Sequence, residues 1–287
     1  MNVKALELAT HWPVGHVAAG AAVATGPGRV ETCAVGDSDH VFEWASITKM
    51  VVALGALIAI EEGTLALDEP AGPPGSTVAH LMAHASGLGP EGGTPLSPPG
   101  VRRIYSNAGF EVLGGLLARN ATMPLEHYLH EALFEPLGMV TASLPIGASP
   151  AWGMRGTIGD LLKLGSELLS PTLIGRSTLD GATVVAFEGL SGVLPGIGYF
   201  DPCDWGLGFE LRAVKSPHWT APGNSPETFG HFGRSGGFLW VDPVAGGACG
   251  SLTDRPFGPW AMASWPPLSQ AVLDEWRAGP DASLIRA

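Results

Sequence analysis

A serine and a lysine three residues apart, Ser46 and Lys49, have the types and spacing that most directly suggest chemistry. On a helix, residues three apart share one face, so the hydroxyl and the amine would lie close enough to exchange a proton. An apolar run from Met50 to Leu54 follows the lysine. Burial of an ammonium in such surroundings lowers its pKa and makes lysine a general base. The pair predicts a nucleophilic serine, although an ordinary helix cap and a snorkelling lysine give the same pattern.

The predicted helix that carries this pair begins at Ser46, continues through apolar residues to Ile60 and ends before Gly63. A serine at a helix start lies beside unpaired backbone amides and the positive end of the helix dipole. Both would stabilise an oxyanion formed at the serine. The sequence therefore predicts a long buried helix with a reactive group at its first turn.

A second polar group follows at Tyr105 and Asn107. A phenol near a lysine can be held as phenolate and take the serine proton, and an asparagine amide can orient the lysine or a substrate carbonyl. Taken alone, a loop tyrosine with a turn asparagine explains these residues equally well.

Five segments of the chain carry recognisable motifs, in this order: Trp44 to Met50, His80 to Leu88, Tyr105 to Asn107, Pro136 to Met139 and Gly230 to Gly237. With these segments in this order, the chain resembles the serine β-lactamase-like superfamily, especially class C β-lactamases and the related esterases with a Ser-x-x-Lys nucleophile motif. The first three segments match the Ser-x-x-Lys, His-Thr-Ser-Gly-Leu and Tyr-x-Asn motifs of that family.

The resemblance implies an α+β fold, in which an antiparallel sheet is flanked by N- and C-terminal helices and an all-α domain is inserted. The local patterns agree, since strand-like segments lie at both ends of the chain and helical spacing of leucines dominates its middle. Strands are predicted at residues 14–23 and 29–35, on either side of a Gly-Pro-Gly turn, and at residues 205–211. The last predicted helix runs from Leu268 to Arg277, with Pro280 beyond it. We expect residues 1–68 and 186–287 to form the α/β domain, residues 69–185 the helical domain, and the active site to lie in the cleft between them.

By the same resemblance, Lys49 and Tyr105 would deprotonate Ser46, while the backbone amides of Ser46 and Arg234 would hold the oxyanion. The implied chemistry is acyl transfer through an acyl-enzyme, with Asn107, His231 and Gly233 in the substrate and oxyanion site. Hydrolysis of small esters is the first interpretation. The alternatives are a β-lactamase or D,D-peptidase-like amide hydrolase, and an acyltransferase that uses the same acyl-enzyme.

A further motif of the family, in the last of the five segments, departs from its usual form. Where β-lactamases have Lys-Thr-Gly, this chain has His231, Phe232 and Gly233. A histidine can still donate a hydrogen bond, but it lacks the fixed positive charge that would meet a β-lactam or peptide carboxylate. This difference favours uncharged esters as substrates.

Two rival motifs are weaker. Gly233, Ser235 and Gly237 fit the Gly-x-Ser-x-Gly elbow of α/β-hydrolases, but that fold needs a histidine after the serine, and none follows Ser235. His80 and His84 have metal-ligand spacing without the glutamate of a zinc protease, which favours a hydrogen-bonded helix end. We therefore expect no metal and no cofactor.

Composition limits the partners. The formal charge of −12 and the pI of about 5.1 argue against nucleic acid, and no apolar stretch is long enough for a membrane span. Three widely spaced cysteines without a Cys-x-x-Cys pattern, and an N-terminus without a signal-peptide core, predict a cytoplasmic protein. The expected partner is a small ester or amide substrate, and the sequence does not predict the oligomeric state.

Overall fold

The computed structural model describes residues 1–278 as ten strands, seven α-helices and three short helical segments of other types. The strands are β1 (Val17–Gly26), β2 (Arg29–Gly36), β3 (Phe42–Glu43), β4 (Arg155–Gly156), β5 (Gly192–Leu194), β6 (Gly198–Phe200), β7 (Glu210–Leu211), β8 (Phe229–Phe232), β9 (Phe238–Asp242) and β10 (Gly247–Thr253). The helices are α1 (Thr48–Glu61), α2 (Val78–Met82), α3 (Asn107–Asn120), α4 (Leu125–Leu129), α5 (Ile158–Leu169), α6 (Arg176–Ala182) and α7 (Pro259–Ala278). Two 3₁₀-helices (Lys4–His11 and Ala45–Ile47) and a π-helical turn (His130–Phe134) complete the set.

The central sheet has six strands in the order β2-β1-β10-β9-β8-β7, and every neighbouring pair is antiparallel. Side chains alternate between its two faces, as the period of a strand requires. On β9, Leu239 and Val241 face one cluster of apolar side chains, whereas Phe238 and Trp240 face the other. Both faces of the sheet are therefore buried.

Helices cover both faces of the sheet. The N-terminal 3₁₀-helix packs on β1, β2 and α7 on one side. On the other side α5 packs on β1, β9 and β10, and α1 belongs to the same apolar cluster. The predicted fold class, an α+β sandwich with an antiparallel sheet flanked by N- and C-terminal helices, is confirmed.

Helix α5 lies against the sheet although its residues fall within the span 69–185. The contact is close because glycines meet it: a Cβ on Gly20 would lie 2.7 Å from a methyl carbon of Leu162, and one on Gly165 would lie 3.2 Å from Leu239. The predicted division of the chain at residues 68 and 185 stays a prediction.

Two predicted elements differ from the structure. The last helix was expected from Leu268 to Arg277 with Pro280 beyond it, but α7 begins at Pro259, and Pro280 lies outside the described residues. The helix includes Pro266 and Pro267 and continues through them, because Ala261, Trp265, Leu268 and Val272 bury one face of it against the sheet. The segment from Trp205 to Leu211 forms a strand only at its last two residues.

Within residues 1–278, no helix is both long and apolar enough to cross a membrane. The three cysteines are free thiols, and Cys203 and Cys249 are buried.

Candidate active site

Ser46 lies in the 3₁₀-turn that leads directly into α1, so the helix starts with a tighter turn than the sequence predicted. The residue before it, Ala45, has a φ of 45°, in the left-handed region that residues other than glycine rarely adopt. Such backbone strain is concentrated at functional sites in proteins. The turn holds the half-buried Ser46 side chain at the edge of a pocket.

Lys49 is fully buried, and its amine bonds three acceptors. Nζ lies 3.3 Å from Ser46 Oγ, 2.7 Å from Asn107 Oδ1 and 2.9 Å from the carbonyl oxygen of Ala151. Burial lowers the pKa of Lys49 to about 7, and the more distant Glu91 and Glu111 carboxylates only partly oppose this. Near neutral pH a large share of the amine is therefore a free base, directed at the serine hydroxyl.

Tyr105 lies beside the same amine. Lys49 Nζ is 4.7 Å from the centroid of the tyrosine ring. Burial raises the pKa of the phenol well above its usual range, although a hydrogen bond with the Ser46 side chain works in the opposite direction. The phenolate considered from the sequence is thus disfavoured in the free protein, and Tyr105 is a neutral phenol that can relay a proton.

Asn107 is the first residue of α3, whose start is fixed by the neighbouring Ser106. Ser106 Oγ accepts a hydrogen bond from the amide of Gly109 (2.9 Å), which is an N-cap. The Asn107 side chain accepts from Lys49 through Oδ1 and donates to Glu91 Oε1 through Nδ2 (2.8 Å). The amide is thereby oriented with its oxygen toward the lysine.

His231, on β8, is buried and neutral. Its Nδ1 lies 2.7 Å from the carbonyl oxygen of Phe232, so Nδ1 carries the hydrogen. Nε2 is then an acceptor, and it has no protein partner among the described residues. Burial, followed by the charge of Lys49, lowers the pKa of His231 to about 3. With the hydrogen on Nδ1, the neutral ring has an acceptor at Nε2, whereas the sequence allowed a donor at this position.

Gly233 lets the end of β8 approach the nucleophile. A Cβ at this position would lie 2.4 Å from the carbonyl oxygen of Trp44 and 3.2 Å from the side chain of Ala45. Its own amide donates to the carbonyl of Gly237 across the β8–β9 turn (2.8 Å), so Gly233 is part of that turn. The next residue, Arg234, is exposed and lines the same pocket as Ser46.

The amides expected to hold an oxyanion belong to Ser46 and Arg234. Within residues 1–278, neither N–H donates to a backbone or side-chain acceptor. Because Gly233 packs on Trp44 and Ala45, the two segments that carry these amides lie next to each other. The arrangement fits a pair of donors for a developing oxyanion.

A pocket of about 440 Å³ opens in front of Ser46. Its walls are mainly apolar, a composition typical of small-molecule sites. Sequence reasoning missed the walls formed by Pro90, Phe257 and residues 194–196. It also missed the Ala151 carbonyl that fixes Lys49, because no local motif marks either. The lining residues are Ser46, Pro90, Tyr105, Asn107, Leu194, Pro195, Gly196, His231, Phe232, Arg234 and Phe257.

The residues of the two rival motifs make ordinary contacts. His80 Nδ1 pairs with Thr77 Oγ1 at the start of α2 (2.9 Å), and His84 Nδ1 accepts a hydrogen bond from the amide of Ser106 (3.1 Å). Ser235 lies in the β8–β9 turn, where its buried Oγ has no partner in the described part of the chain. Nor do those residues include a cluster of three or more histidine, cysteine or acidic side chains placed to hold a metal ion.

Comparison with solved structures supports the same fold. A β-lactamase from Mycobacterium bovis is 50% identical, with a TM-score of 0.92 over 95% of this chain and 99% of that one. Simvastatin synthase from Aspergillus terreus superposes with a TM-score of 0.76 at 17% identity, over 96% and 97% of the two chains. EstCE1, described as a hydrolase with promiscuous acyltransferase activity, does so with a TM-score of 0.69 at 18% identity, over 90% and 94%. At such low identity the last two show the fold alone.

Among curated proteins, a putative D-alanyl-D-alanine carboxypeptidase from Salmonella paratyphi B is 28% identical over 58% of this chain and 49% of its own length. The chain thus spans about half the length of the curated relatives it matches. The model of the β-lactamase family matches residues 12–273, which is nearly the whole sequence. The chain therefore belongs to the β-lactamase family.

Proposed function

We propose that the protein is a serine hydrolase that cleaves small carboxylic esters through an acyl-enzyme on Ser46. One observation carries the proposal. The amine of Lys49, with a pKa lowered to about 7, lies 3.3 Å from the Ser46 hydroxyl. A base whose pKa lies near the working pH is both available and effective.

In the proposed first step the neutral Lys49 amine takes the proton of Ser46, directly or through the Tyr105 phenol. Ser46 Oγ bonds to the ester carbonyl carbon, and the amides of Ser46 and Arg234 hold the oxyanion. The carbon–oxygen bond to the alcohol then breaks, and the proton returns to the leaving oxygen through Tyr105. Water repeats the sequence on the acyl-enzyme and releases the acid.

The choice of esters as substrates depends on His231 and Phe232, which stand where β-lactamases have the lysine and threonine of Lys-Thr-Gly. His231 is neutral and presents an acceptor, so it supplies no positive charge for a substrate carboxylate. Phe232 replaces a hydroxyl with an apolar ring on the pocket wall. Both features favour an apolar ester over a carboxylate-bearing β-lactam or peptide.

Two other activities of the same acyl-enzyme deserve assays. The relatives named as a β-lactamase and as a carboxypeptidase favour amide hydrolysis. The neighbour with promiscuous acyltransferase activity favours transfer to an alcohol. We propose the cytoplasm as the compartment because all three cysteines are free.

The test compares p-nitrophenyl acetate with a chromogenic cephalosporin, in the wild type and in Ser46→Ala. The expected result is ester hydrolysis that is lost in Ser46→Ala, with slower or absent cephalosporin cleavage. Ser235→Ala is the matched control, since it removes the hydroxyl of the other motif serine. Ester hydrolysis that survives in Ser46→Ala would reject the proposal, and a preference for the cephalosporin would replace it with a β-lactamase.

A further inference from the structure

Trp205 is a buried ring that touches the proposed proton relay without lining the pocket. Its side chain is 1% exposed. The ring centroid lies 5.9 Å from that of Tyr105, 4.7 Å from His84 and 5.5 Å from His231. His84 in turn packs on Tyr105, with centroids 4.6 Å apart. Trp205 and His84 thus form an aromatic support behind the tyrosine.

Two buried cations fix the backbone that carries Trp205. The carbonyl of Cys203 accepts a hydrogen bond from Arg103 Nε (3.0 Å), and the carbonyl of Asp204 accepts one from Lys215 Nζ (2.7 Å). The carbonyl of Trp205 itself accepts from the amide of Ala186 (2.8 Å). Three consecutive carbonyls are therefore held by donors from three different parts of the chain.

Of the two cations, Lys215 has a carboxylate partner among the described residues. Lys215 pairs with Glu210 at 2.7 Å, and His218 lies 2.9 Å from the other oxygen of the same carboxylate. Glu210 also forms a β-bridge with Trp205. Burying such a set of charges is costly unless the geometry is well matched. This cluster therefore holds the Trp205 backbone through the Asp204 carbonyl and the Trp205–Glu210 bridge.

Arg103 bonds only backbone carbonyls among the described residues. Besides Cys203, its guanidinium donates to the carbonyls of Ala83, Ala186 (2.7 Å) and Phe187 (3.1 Å). It stands two residues before Tyr105, and Ala83 stands one residue before His84. One planar group thus ties together the segments of the tyrosine and of both rings that support it.

The chain just after Trp205 also contacts α1, the helix that carries Lys49. Gly208, three residues after Trp205, has a φ of 90°, and a Cβ there would lie 2.1 Å from the Ala53 side chain and 3.9 Å from the carbonyl oxygen of Lys49. The support behind Tyr105 and the helix of Lys49 are consequently one packed unit.

We infer that Trp205 is a positioning residue for Tyr105, fixed in place by Arg103 and by the Glu210–Lys215 pair. The inference rests on the proposed proton role of Tyr105. The ring of Trp205 keeps the phenol in contact with Ser46 and excludes water from its inner side. Displacement of a catalytic group by about 1 Å can cost on the order of 10²-fold in rate, so loss of this support should slow acylation without weakening substrate binding.

The test is a double-mutant cycle between Trp205→Phe and Tyr105→Phe. Acylation rates are taken from the burst of p-nitrophenol, so that only active sites are counted. Trp205→Phe should lower the acylation rate about tenfold with little change in the substrate dissociation constant, which is taken from the concentration dependence of the burst rate. It should have almost no further effect in the Tyr105→Phe background. Trp240→Phe, which alters an equally buried tryptophan bonded to Ser269, is the matched control and should acylate at the wild-type rate per active site.

Three outcomes would overturn the inference and leave the proposed function intact. They are an unchanged rate in Trp205→Phe, an undiminished effect of that variant in the Tyr105→Phe background, or an equal loss in Trp240→Phe. If Tyr105→Phe alone acylates normally, the proton role in the proposed function fails and the inference fails with it. If only Trp205→Phe is normal, the inference alone fails. Should Trp205→Phe not fold, Arg103→Lys, which keeps the charge but loses the forked contacts, should show the same non-additivity with Tyr105→Phe.

Discussion

The pH dependence of ester hydrolysis should follow the titration of Lys49. At its ordinary pKa of 10.5, only about one amine in 3,000 would be neutral at pH 7. With the pKa lowered by burial to about 7, the free-base fraction rises from roughly one in ten at about pH 6 to roughly nine in ten at about pH 8. Since the free base takes the serine proton, kcat/KM should rise about tenfold over this interval and then level off.

The assay is hydrolysis of p-nitrophenyl acetate between about pH 5 and pH 9, in buffers of constant ionic strength. Lys49→Arg is the informative variant, because arginine keeps the charge and cannot act as a base in this range. Its rate should be low at every pH, without the rising limb. A flat wild-type profile in an enzyme that depends on Ser46, or a midpoint near the ordinary lysine pKa, would refute this reasoning.

Three further predictions concern the surroundings of the site. Burial alone would raise the Glu210 pKa, but Lys215 and His218 lower it from 4.5 to about 2. The carboxylate therefore stabilises the fold by about 3 kcal/mol above about pH 4.5. This contribution is lost as the pH falls toward 2. Acid unfolding followed by circular dichroism should show this loss in the wild type and not in Glu210→Gln. Gly208→Ala should destabilise the protein by about 2 kcal/mol or more in urea unfolding, because its Cβ would collide with Ala53; unchanged stability would contradict the close packing. Phe257→Ala should shift the acyl-length preference of ester hydrolysis toward longer chains, since Phe257 forms a wall of the pocket, and an unaltered series would place the acyl group elsewhere.

Sequence reasoning could predict the part of the site whose residues lie close together along the chain. Ser46 and Lys49 lie one above the other because a helix turn brings residues three apart together, and the apolar run after Lys49 indicated a buried helix and hence a lowered pKa. The first two strands were similarly predicted, at residues 14–23 and 29–35, from a Gly-Pro-Gly turn between two segments rich in valine and alanine; they lie at Val17–Gly26 and Arg29–Gly36.

Tyr105 and Asn107 could be placed near Lys49 only through resemblance to a family, because the contacts join segments 58 residues apart along the chain. The Ala151 carbonyl and the Trp205 support were missed, since a backbone acceptor and a packed ring leave no motif. The hydrogen on His231 also escaped prediction. Its tautomer is set by the carbonyl of Phe232, a contact that depends on the backbone conformation at the end of a strand.

The extent of the last helix was underestimated for a related reason. Two prolines ordinarily end a helix, so the sequence favoured a start after Pro267. Burial of Trp265 and Leu268 on the same face outweighs that preference in the structure. Tertiary packing of an apolar stripe decides the boundary here, and local propensity does not.

The most direct test of the account is to trap the acyl-enzyme. A slowly hydrolysed activated ester is mixed with the protein, the reaction is quenched in acid, and the intact mass and the peptide map are measured. The account predicts one acyl group per chain, attached to the peptide that contains Ser46 and absent in Ser46→Ala. An adduct on Ser235 or on another residue would contradict it. So would rapid ester turnover, in both the wild type and Lys49→Arg, without any trapped adduct.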